Sequence, residues 1–200
     1  TPLVLINGSL PGNALHGVRI DEAMGAEMAT RHLIGLGHRD IAFIGGNEHM
    51  STTAQKVRAF KKALRENGLE ARPECVLHAD FSIESGQLLM KRLLELPRRP
   101  TAVLCVNDFN AVGAVKTAAR AGYRIPEDLS IVGFDDIPLA TAINPELTTV
   151  SQKMETLGRK SVEVLHKLIG KEKVKKLTVI EPELIVREST ASLPLAESKR

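Results

Sequence analysis

Residues 99–150 read RPTAVLCVNDFNAVGAVKTAARAGYRIPEDLSIVGFDDIPLATAINPELTTV, and this stretch constrains the fold more than any other. Two apolar runs, 102–106 and 130–134, have the length of buried strands, and each ends on polar residues: Asn107-Asp108 and Asp135-Asp136. Between them Ala111, Val112, Val115 and Ala119 recur at helical spacing, with Asp108 placed to cap the helix and Gly122 and Pro126 to end it. A strand, a crossover helix and a second strand make a parallel βαβ unit. Open parallel sheets bind ligands beyond the carboxyl ends of their strands, so Asn107 and Asp135 point to a small-molecule crevice.

The same alternation runs through the rest of the chain. Residues 3–7 read as a strand, 8–18 as irregular, 22–36 as a helix stopped by Gly37, and 41–44 as a strand leading into Gly45-Gly46. Helices are expected at 52–67, 83–96 and 152–169, with a short strand at 76–77 and an extended piece at 148–150. A closing strand is expected at 177–186, interrupted by Pro182. Strict alternation with nearly continuous apolar strands predicts an α/β fold with doubly wound parallel sheets.

Composition excludes several functions. Apolar residues make up 43% and charged residues 26%, ordinary for a globular chain, and no apolar run is long enough to span a bilayer. The net charge of +3 does not imply nucleic acid. The one basic cluster, Lys167, Lys171, Lys173, Lys175 and Lys176, holds Glu172 and no aromatic residue, so it reads as a solvated loop. Cys75 and Cys105 sit in or beside apolar runs and read as buried thiols. No nucleophile elbow, metalloprotease motif or P-loop is present, so no enzyme activity, metal or cofactor is expected. Gly45-Gly46 lacks the third glycine of a dinucleotide fingerprint and reads as a tight turn at the crevice mouth. His32 and His38 flank a helix end and read as surface or capping groups. Successive residues of a strand point to opposite sides, so Asp135 and Asp136 need not form an acid–base pair; Asp135 reads as a hydroxyl-binding carboxylate.

Six strings in order carry a family resemblance over nearly the whole chain. They are HLIGLGHRDIAFIGG at 32–46, DFSIESG at 80–86, RPTAVLCVND with GYRIPEDLSIVGFDDI at 99–137, PELTTVSQ at 145–152, METLG at 154–158 and LIVREST at 184–190. Together they resemble the lactose/galactose repressor (LacI/GalR) family of bacterial transcription regulators. The resemblance implies a two-lobed effector domain of the periplasmic-binding-protein type (type I) with an incomplete amino-terminal lobe. It further implies a cytoplasmic homodimer that binds a sugar, nucleobase or similar effector. Operator DNA would be held by a helix-turn-helix domain outside this chain, which opens without methionine and reads as a piece of a longer protein. Residues 1–39 and 152–176 would form the lobe nearer the DNA, 40–151 and 177–190 the distal lobe, and 191–200 a fraying tail. A periplasmic sugar-binding protein of a transport system has the same architecture and is the alternative.

By position, the resemblance assigns Asp135 to gripping effector hydroxyls, and Asn107 to a polar place beside the crevice. Phe81 would offer an aromatic face, Thr52 would line the mouth, and Gln152 would lie at a lobe crossover. Lys56 departs from the arginine usual there, keeping the charge but losing the planar fork. Glu22 departs from the asparagine of the V-x-x-D-N pattern that Val18 and Asp21 otherwise fit.

Overall fold

The computed structural model describes residues 1–8 and 15–193. Its elements fall into two sheets. The larger takes β3 (Ile41–Ile44), β4 (Val76–Leu77), β5 (Ala102–Cys105), β6 (Ser130–Asp135), β7 (Thr148–Ser151) and β9 (Glu183–Ile185) in the order β4-β3-β5-β6-β7-β9. All neighbours are parallel except β9, which runs antiparallel to β7. The smaller is a parallel sheet of β1 (Val4–Ile6), β2 (His16–Ile20) and β8 (Leu177–Ile180), in the order β1-β2-β8.

The central strands β3 and β5 are buried along their whole length, so each must meet apolar side chains on both faces. Helices α1 (Glu22–Gly35) and α2 (Ser51–Glu66) supply one face, where Ala26, Ala29, Leu33, Phe60 and Leu64 close over Phe43, Leu104 and Phe134. Helices α3 (Ile83–Leu94) and α4 (Asp108–Arg120) supply the other, where Leu89, Met90, Leu93, Ala111 and Ala114 cover Ala42, Ile44, Val103 and Ile131. These two helices approach closely because Gly86 and Gly113 face each other across the contact. A Cβ on Gly86 would overlap the Asn110 backbone, and one on Gly113 the Ile83 carbonyl. Helix α5 (Met154–Ile169) covers the small sheet through Leu157 and Val164 against Val18.

Several expectations shift. The expected lobe limits put 1–39 with the small sheet, but α1 buries Ala26, Ala29 and Leu33 in the larger core, and Gly25 lies so close to Phe134 that a Cβ there would be 2.8 Å from its ring. The chain leaves the small sheet at Asp21, whose carboxylate caps α1 by accepting from the Met24 N–H at 2.9 Å. The expected single strand over 177–186 is two strands. β8 joins β2 in the small sheet and β9 joins β7 in the large one, with the crossing at Glu181-Pro182. β2 was expected to be irregular up to Val18. Only its last three residues, Val18-Arg19-Ile20, alternate, too short a signal to mark a strand, and pairing on both sides holds it extended. The remainder of that stretch, 9–14, lies outside the described residues.

At the carboxyl end, Ala191–Leu193 do not fray. The Leu193 N–H donates to the Leu36 carbonyl at 2.9 Å, and the Ala191 N–H to Ser130 Oγ at 3.1 Å. His38 completes this clasp. It is 2% exposed, a buried core group rather than a surface cap, and it contacts Thr101 Oγ1 and Ser130 Oγ at 3.0 Å and the Ala191 carbonyl at 3.1 Å. Residues 194–200 of the expected tail lie outside the described residues.

Candidate functional site

Three chain segments cross between the sheets, and a cavity of about 310 Å³ opens beside the crossings. Its walls bring together Thr52, Lys56, Phe81, Asn107, Asp135 and Gln152, along with Asn7, Glu22, Met50 and Val106. The six residues assigned from the sequence therefore share one cavity. A second cavity of about 190 Å³ adjoins it, sharing Asn7, Glu22, Met50 and Thr52 and adding Arg19.

Each polar side chain is set by the strand end or helix start that carries it. Asn107 follows β5 and is the cap of α4, accepting from the Asn110 N–H at 2.9 Å and donating to the Phe81 carbonyl at 3.1 Å. The cap was expected to be Asp108. That residue lies one position further on, inside the helix, where it is fully buried and accepts from Thr149 Oγ1 at 2.6 Å and the Ile137 N–H at 2.9 Å. Gly45 and Gly46 make the turn after β3 at φ of 98° and 75°, and a side chain on either would strike Asn110, Thr53 or Val106. Thr52 and Lys56 lie one helical turn apart on α2.

Asp135 ends β6 at φ 115° and Asp136 follows at 57°, both in the left-handed half of backbone space where non-glycine residues are strained. The twist sends the two carboxylates apart. Asp136 pairs with Arg187 at 2.7 Å, whereas Asp135 faces the cavity and accepts from Gln152 Nε2. Gln152 in turn accepts from Asn7 Nδ2 at 2.9 Å, and Asn7 accepts from the Ile20 N–H at 3.0 Å. A hydrogen-bond chain thus links the small sheet to the end of a strand in the large one.

Lys56 is only 5% exposed. Its Nζ stands 3.1 Å from Glu22 Oε2 and 3.6 Å from the centre of the Phe134 ring, and it donates to the Val106 carbonyl at 3.0 Å. The two departures noted in the sequence, Glu22 and Lys56, are therefore ion-pair partners in the cavity wall. Burial pushes the Asp135 carboxyl up to about 6, against the opposing pull of Lys56 and the Gln152 hydrogen bond, with Glu22 adding to the rise. Among the described residues, no three His, Cys, Asp or Glu side chains are placed to hold a metal ion, and no helix is long and apolar enough to cross a membrane.

Asn7, Glu22, Met50 and Val106 are lining residues that the sequence reading did not assign to the site. Asn7 obeys the rule that located Asn107 and Asp135, since it follows an apolar strand. Glu22 obeys it too, two residues beyond the end of β2, but β2 itself is not legible.

Two sheets joined by three crossings, with a polar cavity at the carboxyl ends of parallel strands, are the architecture of the two-lobed, periplasmic-binding-protein-like fold. Comparison with known proteins agrees. Residues 30–190 match the model of the periplasmic binding protein-like domain. A LacI family transcriptional regulator from Mycobacterium smegmatis superposes with a TM-score of 0.86 at 36% identity, over 96% of this chain and 71% of that one. A LacI family regulator from Enterococcus faecium, solved with bound ribose, gives 0.86 at 29% identity, over 96% and 71%. The repressor CytR of Escherichia coli K12 is 37% identical over 194 residues, which are 96% of this chain and 57% of CytR. The chain belongs to the LacI family of transcriptional regulators. It spans little more than half the length of the curated relatives it matches.

Proposed function

We propose that this chain is the effector-sensing and dimerisation part of a cytoplasmic LacI-type regulator, and that the 310 Å³ cavity holds a sugar or nucleobase-like effector. The observation that carries this reading is Asp135. It is a cavity-facing carboxylate on a strained strand end, tied through Gln152 and Asn7 to the other sheet. A hydroxyl-bearing ligand gripped by Asp135 would bear on the same hydrogen-bond chain that joins the lobes. Its binding energy could then favour one lobe arrangement over another, as an allosteric ligand must. The ribose bound to the Enterococcus faecium regulator supports the effector class. Operator DNA would be contacted by a helix-turn-helix domain outside these 200 residues. The test is operator affinity of the full-length regulator, measured with and without the small molecule that copurifies with it. The expected result is a change of about fivefold or more, the range of ordinary allosteric coupling; equal affinities in both conditions would contradict the reading.

The carboxyl of Asp135 gives this binding a definite pH dependence. A ligand that donates hydrogen bonds to the carboxylate binds the ionised form and opposes protonation. Affinity is therefore full above about pH 6 and falls as the pH drops below it, approaching about tenfold per unit. The fold responds in the opposite sense. Asp108 is likewise raised to about 6 by burial, so both groups hold protons more readily folded than unfolded. Their contribution to stability rises as pH falls from about 6 toward the ordinary carboxylate range. Calorimetric titrations at pH 7.5, 6 and 5 should therefore show weakening binding while the melting temperature does not fall in parallel. A flat affinity across that range would remove the ionised Asp135 from the contact.

A further inference from the structure

The Lys56 ammonium is enclosed within the wall by the Val106 carbonyl, to which it donates, by Glu22 Oε2 at 3.1 Å and by the Phe134 ring face. An ammonium has three donors and no acceptor, so a ligand could reach Lys56 only by displacing one of these partners. Glu22 is the opposite case. It is 7% exposed and lines both adjoining cavities; its Oε2 is buried against the Lys56 ammonium, and its Oε1 has no hydrogen-bond partner among the described residues. Asp135 accepts from Gln152 on Oδ1, and its other oxygen has no partner among the described residues. The amides of Asn107, Gln152 and Asn7 are tied into the wall by the bonds already described. The charged atoms left open to the 310 Å³ cavity are therefore carboxylate oxygens. Arg19 is the other cation on the described walls, and it lines the adjoining cavity alone.

We propose that Glu22 is a specificity-determining residue of this site, positioned by Lys56, and that the site takes ligands presenting hydroxyl or amine donors to Glu22 and Asp135 while turning away the phosphorylated form of the same framework. The inference rests on the effector-site reading. A neutral polyol or an amino sugar satisfies the open acceptors. A ligand lacking a donor leaves a buried carboxylate unmatched, and an anionic one adds like charge where water is scarce. Lys56 acts through Glu22: it holds that carboxylate in the wall rather than gripping the ligand.

Titration calorimetry of the full-length protein with three matched pairs tests this: D-ribose and D-ribose 5-phosphate, D-glucosamine and its 6-phosphate, adenosine and adenosine monophosphate. At least one unphosphorylated member should bind, and its phosphorylated partner should bind at least tenfold more weakly. Glu22→Gln keeps the shape but removes the charge, and should narrow that ratio several-fold. Glu22→Asp keeps the charge and should preserve the ratio while weakening both. The wild-type ratio is read without any variant, so a misfolded substitution does not decide the matter. A phosphorylated member binding as tightly as its parent, as a phosphate seated on Arg19 would produce, overturns the inference and leaves the effector site standing. An unchanged ratio in a folded Glu22→Gln protein does the same. Failure of all six compounds to bind overturns both the inference and the reading beneath it.

Discussion

Asp135→Asn is expected to lower effector affinity by roughly ten- to a hundredfold while leaving the fold intact. A hydrogen bond to a charged group contributes about 1.5–3 kcal/mol, and the substitution exchanges one acceptor oxygen for a donor and removes the charge. The backbone tolerates the change. At φ 115° most side chains are strained, but asparagine and aspartate are the non-glycine residues best suited to that half of the map. The remaining carbonyl oxygen can still accept from Gln152, so the link to Asn7 persists. The variant therefore separates ligand recognition from lobe architecture, which Asp135→Ala would confuse. Circular dichroism and the melting temperature establish the fold, and titration with the copurified small molecule reads the affinity. Unchanged affinity in a folded variant would take Asp135 out of the site.

The second large effect is on stability. Lys56→Met should destabilise the protein by about 3–5 kcal/mol, because it strands the Glu22 carboxylate in a wall where both partners' side chains are under 10% exposed. The loss of the contact with Phe134 adds to this. That is a large share of the roughly 5–15 kcal/mol available to a typical domain. Replacing both partners, Glu22→Gln with Lys56→Met, should recover most of the loss, since burying two neutral groups avoids the desolvation of a lone charge. Urea unfolding of the two single variants and the double completes the cycle. A Lys56→Met midpoint close to wild type would mean that the pair is not buried as described. Lys56→Arg should bring no gain in ligand affinity: the wider guanidinium must fit between Phe134 and the Val106 carbonyl, where the ammonium is already enclosed.

Local signals in the sequence located the strands whose ends carry Asn107 and Asp135, because each is a continuous apolar run cut off by polar residues. Helices α2 and α4 are legible for a related reason, each with one apolar stripe and a glycine stop, and α3 is legible from its apolar stripe. What was hidden depends on pairing between distant segments. β2 stays extended because β1 and β8 flank it, and its own sequence does not announce a strand. Without β2, Glu22 could be noticed as a departure but not placed in the cavity. The split of 177–186 between two sheets has the same origin, although Pro182 marks the break. The burial of His38 is not legible in the sequence because its partners, Thr101, Ser130 and Ala191, are 63 to 153 residues away. In the sequence Lys56 can be read only from the ligand side. Only the fold brings Glu22, Val106 and Phe134 around it and encloses its ammonium.

The proposed function requires the cavity bearing Asp135 to hold a small hydroxyl-bearing effector. Native mass spectrometry of the full-length protein, purified without added ligand and compared with Asp135→Asn prepared in parallel, addresses it most directly. One small adduct per wild-type chain, released on gentle activation, is expected, with its loss or strong depletion in the variant. The same adduct at equal occupancy on both proteins would contradict the proposed function.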